Sequence, residues 1–170
     1  MKALSATGFW NQLYKVSHFF YLASHFIPFL YNCRASVTDP RIFGFLKSLK
    51  QNEAKDLPIG TAGFCWGALP VSKACSNQAV NKLDDGTRVT DCGFFAHPSR
   101  LTFPGDLESI VLPLSVAAAE HDPMMGPEQA KQTEEILKAK TEKMRDQGIE
   151  HEFVMYGGVH HVSSQCTTVT

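Results

Sequence analysis

From residue 39 onward, apolar runs of strand length alternate with stretches of helical period. Residues 56–63, 89–96, 112–119 and 152–156 are compact apolar segments, and 112–119 is apolar almost throughout, as a parallel strand covered on its faces would be. Asp39 and Pro40 open a helix on which Ile42, Phe45, Leu46 and Leu49 share one face. Residues 68–80 are helix-capable, with Pro70 confined to the first turn. The clearest helix is 127–147, with Pro127 near its first turn and Gly148 just past its end. Its inner stripe is Ala130, Leu137, Met144 and the alkyl stem of Lys140, while Glu134, Glu135, Lys138 and Lys143 face water. Strands separated by helices predict right-handed crossovers and an α/β fold of about four mostly parallel strands flanked by helices.

The first part of the chain reads differently. Residues 9–31 carry half of the aromatic side chains, interrupted by Asn11, Gln12, Lys15, His18, His25 and Pro28. A membrane span wants about 20 nearly uninterrupted apolar residues. The pattern therefore predicts a helix pair that packs on a core or covers a site, with membrane-surface contact as the weaker alternative. The expected organisation is one domain over 1–170: a cap-like helical segment at 1–38, a core at 39–161 and an irregular tail at 162–170.

Composition narrows the function classes. The 170 residues are 44% hydrophobic and 19% charged, which suits one folded domain and excludes a disordered chain. Sixteen basic residues against seventeen acidic give a net charge of −1, so no global field favours nucleic acid or an anionic membrane. The five cysteines are odd in number and form no CxxC pair. With no signal-peptide pattern at the N-terminus, they read as reduced thiols of a cytoplasmic protein.

The segment Gly63-Phe64-Cys65-Trp66-Gly67 lies between a predicted strand and a predicted helix. A nucleophile on so tight a turn is held in strained backbone, and small residues two before and two after relieve the crowding. The helix that follows favours thiolate. Asp122 follows strand 112–119, and His161 follows strand 152–156. The order nucleophile, acid, histidine, each beyond a strand's carboxyl end, is that of a hydrolytic triad. His97 also ends a strand, as a candidate pocket residue or as a loop histidine with a satisfied ring. His160 beside His161 is a further pocket candidate. Adjacent histidines rarely share an ion and no HExxH is present, so no metal is expected. Gly157-Gly158 reads as a turn rather than a phosphate loop. Cys33, Cys75, Cys92 and Cys166 have no such context and read as ordinary residues.

GFCWG, AHPS (96–99), LPLSVA (112–117), the EHD–PEQAK run and YGGVHH (156–161) together resemble the dienelactone hydrolase family, particularly its fungal branch, over roughly residues 20–161. The resemblance implies an α/β-hydrolase fold and a cofactor-free enzyme that opens small carboxylic esters or lactones through an acyl-thioester. It implies Cys65 as nucleophile, Asp122 as acid and His161 rather than His160 as base, with the Trp66 N–H as oxyanion donor. Departures are Ala68 where the family has glycine, Val162-Ser163 where it has Gly-Phe, and a tail without helical pattern. The family's upstream strands, with an oxyanion amide, a glutamate and an arginine, have no counterpart in residues 1–50. Such a chain is expected to be N-terminally truncated relative to the family. It would leave residues 57–63 as a bare sheet edge prone to self-association. The alternative function is a catalytically silent truncated paralogue or incomplete gene product. A redox-sensing thiol protein is a third reading.

Overall fold

The computed structural model describes residues 9–161, with side chains from Tyr14 on. The expected tail at 162–170, including Val162, Ser163 and Cys166, lies outside the described residues. The chain divides into two compact units, Met1–Arg41 and Ile42–Thr170.

In the first unit, α1 (Phe9–Asn32) is one helix rather than the expected pair, with Pro28 inside it. An interior proline removes one backbone hydrogen bond and crowds the carbonyl four residues back, at a cost of about 3 kcal/mol. The aromatic residues do not form a buried stripe: Phe19, Phe20, Tyr21, Phe29 and Tyr31 are all exposed. The Arg34 guanidinium stacks 3.6 Å from the Tyr31 ring centroid. No described helix is long and apolar enough to cross a membrane.

α2 (Ala35–Gln51) starts before Asp39, so Pro40 lies within the helix rather than at its opening. Its second-unit portion buries Phe43 and Leu46 with Ala54, Ile59, Ala74 and Val89. Phe45, expected on the inner face, is exposed, and Phe43 takes its place beside Leu46, with Ile42 and Leu49 partly buried against the same cluster.

The second unit is built on four parallel strands in the order β1 (Gly60–Phe64), β2 (Cys92–Ala96), β3 (Leu114–His121), β4 (His151–His160). The first three start later than their apolar runs. Each strand is added on the same side of the one before, so crossovers of one hand put all connecting helices on one face. That face packs Phe95, Leu114 and Val116 against Val71 of α3 (Ala68–Ala74), Cys75 just past its end, Leu107 of α4 (Gly105–Glu108) and Leu137 of α5 (Pro127–Met144). On the opposite face Cys92, Phe64 and Tyr156 are exposed.

α3 ends at Ala74, well short of residue 80. The buried Asn81 amide donates to the carbonyls of Lys73 (3.1 Å) and Ala74 (2.8 Å), supplying donors at the helix end. α5 buries Ala130, Thr133 and Leu137. Lys140 adds more than its stem, because its Nζ donates to the carbonyls of Glu108 (2.7 Å) and Ile110 (2.9 Å). Past α5, Gly148 adopts φ +69°, a left-handed conformation that glycine takes without strain.

Candidate active site

Cys65 follows directly on β1 and has φ +52°, a left-handed conformation uncommon for a side chain-bearing residue. The turn is crowded on one flank only. A Cβ on Gly63 would collide with the Gly67 carbonyl and press on Val71, whereas one on Gly67 would meet nothing within 4 Å. Of the two flanking glycines, only Gly63 is required by sterics, which narrows the expectation that both relieve the same clash.

Asp122 comes one residue after β3 and is buried. His161 comes one residue after β4. Their approach depends on an irregularity between β3 and β4. Ala119 pairs with Tyr156, yet His121 pairs with His160, so β4 carries extra residues across this interval. Gly157 and Gly158 absorb them inside the strand, Gly158 with φ +71° and its N–H on Glu120 Oε2 at 2.6 Å. The expected turn is thus a bulge, the usual meaning of glycines within a strand. Beyond it, His161 Nδ1 lies 2.7 Å from Asp122 Oδ1, and Nε2 lies 3.3 Å from Cys65 Sγ. The Met124 N–H donates to the same Asp122 oxygen at 2.8 Å. His160 instead sets its ring 5.0 Å from that of His121.

Desolvation raises the Cys65 thiol pKa, but hydrogen bonds from Ser99 and His161, the field of His161 and the Trp66 N–H outweigh it and hold the thiol below its ordinary value. Burial likewise opposes protonation of His161, and the hydrogen bond to Asp122 leads the contributions that raise its pKa overall. By contrast, burial pushes the Cys75 thiol up to about 12. Ser99, within the AHPS motif, has no role in the expected triad. Its hydroxyl lies 3.6 Å from Cys65 Sγ, and its N–H donates to the Cys65 carbonyl at 3.0 Å. The backbone bond ties the loop after β2 to the nucleophile turn.

Beside these groups lies a slot of about 240 Å³ on the sheet's open face, lined by Phe64, Phe94, Ala117, Tyr156, Val159 and both His97 and His160. The His97 ring is buried, with no partner for either nitrogen among the described residues. The loop histidine with a satisfied ring is not what the fold shows, since no protein group among the described residues pairs with either nitrogen. Among the described residues, no three His, Cys, Asp or Glu side chains converge as a metal site would need.

No family model matches the chain. A hydrolase of Aspergillus violaceofuscus, pyvD, is 32% identical over 100 residues, a match that takes in 59% of this chain and 36% of that protein. The chain thus aligns with about a third of the length of this curated relative. Among solved structures, a truncated carbohydrate esterase from gut microbiota superposes with TM-score 0.52 at 11% identity, over 74% of this chain and 61% of that one. A Klebsiella pneumoniae protein solved as a candidate dienelactone hydrolase gives 0.51 at 13% identity, over 73% and 50%. The fold is that of the α/β hydrolases, represented here by four parallel strands flanked by helices.

Proposed function

We propose that the chain is a dienelactone hydrolase-like enzyme that cleaves small carboxylic esters or lactones. Cys65 is the nucleophile, His161 the base and later the acid, and Asp122 the residue that orients the imidazole. The observation that carries this reading is the continuous hydrogen-bond path from Asp122 through His161 to the Cys65 sulfur, 2.7 and 3.3 Å per step. In the proposed reaction the thiolate attacks the substrate carbonyl, and the electron pair of the C=O moves onto oxygen, where the Trp66 N–H donates to it. Collapse expels the alkoxide, which takes the proton from His161 and leaves an acyl-thioester. His161 then removes a proton from water as its oxygen attacks the thioester, and a second collapse releases the acid and restores the thiol.

The test is turnover of small esters by the recombinant chain. Cys65→Ala should reduce it at least about 10⁴-fold, and unchanged turnover overturns the assignment. A thiol-directed probe separates the silent alternative. Labelling that is lost in Cys65→Ala, without ester turnover by the parent chain, identifies a fold that keeps the nucleophile but not the activity.

A further inference from the structure

We propose that His97 is a substrate-binding residue of the slot, whose imidazole hydrogen-bonds an oxygen on the acyl group of the substrate. This deepens the hydrolase reading and rests on it. It selects, among small esters, those bearing an oxo or hydroxyl function near the scissile carbonyl.

Three observations meet at this residue. First, His97 is 6% exposed, and neither ring nitrogen has a partner among the described residues. A buried imidazole without partners has given up its bonds to water, and a turn of the ring that brings a nitrogen to the slot lets a ligand restore one. Second, the residue is held firmly although its ring is unpaired. Its N–H donates to the Ala117 carbonyl at 2.9 Å, and two residues on the Ser99 N–H donates to the Cys65 carbonyl at 3.0 Å. The backbone of His97 is itself left-handed, φ +38°, a conformation that costs energy in a residue with a side chain and is most often retained at functional sites. Third, the ring lies between the slot and the reacting groups: its centroid is 5.9 Å from that of Phe64 and 5.3 Å from that of His161.

The rest of the slot explains why one polar group suffices. Phe64, Phe94, the alanines of β3 and Val159 make it mostly apolar, and about 240 Å³ is below the ~300 Å³ where pockets for larger ligands begin. In the proposed pose a short acyl chain enters the slot with its scissile carbonyl toward Cys65 and its next oxygen beside His97. Burial and the nearby charge of His161 keep the His97 ring in its neutral form, with one N–H to donate and one nitrogen to accept.

Ethyl acetoacetate and ethyl butyrate differ by one oxo oxygen and are suitable probes. The parent chain should prefer the acetoacetate ester in kcat/KM by about ten- to a hundredfold, the discrimination expected of one buried hydrogen bond. His97→Leu should erase that preference and His97→Gln should recover part of it. Because the ratio is taken within one protein, general damage to the fold cancels. A preference that survives His97→Leu, or is absent in the parent, overturns the proposal. Titrating both esters into Cys65→Ala and into Cys65→Ala with His97→Leu, followed by the imidazole NMR signals, separates the two readings. If the parent cleaves neither ester, the hydrolase reading fails. Tighter binding of the acetoacetate ester that depends on His97 still supports the slot, and equal binding of both esters overturns it.

Discussion

At the scale of single residues, the Cys65 sulfur is subject to opposing forces. Burial favours the neutral thiol, while the Ser99 hydroxyl, His161 and the Trp66 N–H favour the thiolate and prevail. Since His161 moves upward as the thiol moves down, the thiolate–imidazolium pair gains population near neutral pH. Alkylation by iodoacetamide should therefore reach half its maximal rate below pH 9.0, the ordinary thiol value. Ser99→Ala should move that midpoint upward, and an unmoved midpoint would show the hydroxyl to be a spectator. His161→Ala should cost far more turnover than His160→Ala. Gly63→Ala should destabilise the fold by about 1–3 kcal/mol in urea unfolding, through collision with the Gly67 carbonyl, and Gly67→Ala by much less. The positions of Cys65, Asp122 and His161 were legible in the sequence because each follows an apolar strand closely. Ser99 and the unpaired ring of His97 were not, since both depend on a loop folded back between two strands.

At the scale of elements, legibility followed the local stop signals. α5 opens at Pro127 as predicted, because a missing N–H acts locally, but it ends at Met144, and a 3-10 turn at Arg145–Gln147 carries the chain to the left-handed Gly148. α3 ends where Asn81, a side chain from outside the helix that no helical period reveals, donates to its last carbonyls. β4 outruns its apolar segment because the bulge at Gly157-Gly158 lets pairing resume at His160. Lys140 shows how an apparent stripe position can be polar in function: it ties α5 to the carbonyls around α4. Lys140→Met keeps the stem and removes both bonds, and should lower stability by about 1–2 kcal/mol in chemical denaturation.

At the scale of the whole molecule, the monotonic strand order leaves an asymmetry. One sheet face is packed by helices, whereas Phe64 and Tyr156 on the other are about half exposed, 52% and 51%. β1, with the sequence GTAGF, is an outer strand without a single charge to discourage further pairing. We propose that this edge drives self-association. Light scattering should report a mass that grows with concentration, and Ala62→Lys, at an exposed position on β1, should suppress the growth. A concentration-independent monomer overturns this expectation. The parallel order was legible from the alternation of elements, but the openness of one face was not. Periodicity records which side chains are apolar, not whether anything arrives to cover them.

The nucleophile rides on that same outer strand. Among the described residues, β1 is laced to the sheet along one flank only, through the ladder from Gly60–Cys92 to Phe64–Ala96. A strand fastened on one side resists lateral breathing less than one fastened on both, and the turn that holds the sulfur takes its stance from the strand's last residue. Any influence of the free flank on the thiol is reciprocal. If pairing at the edge favours the acylated protein, acylation must favour pairing at the edge by the same factor. Chemistry at the sulfur and assembly at the rim of the sheet would share one equilibrium.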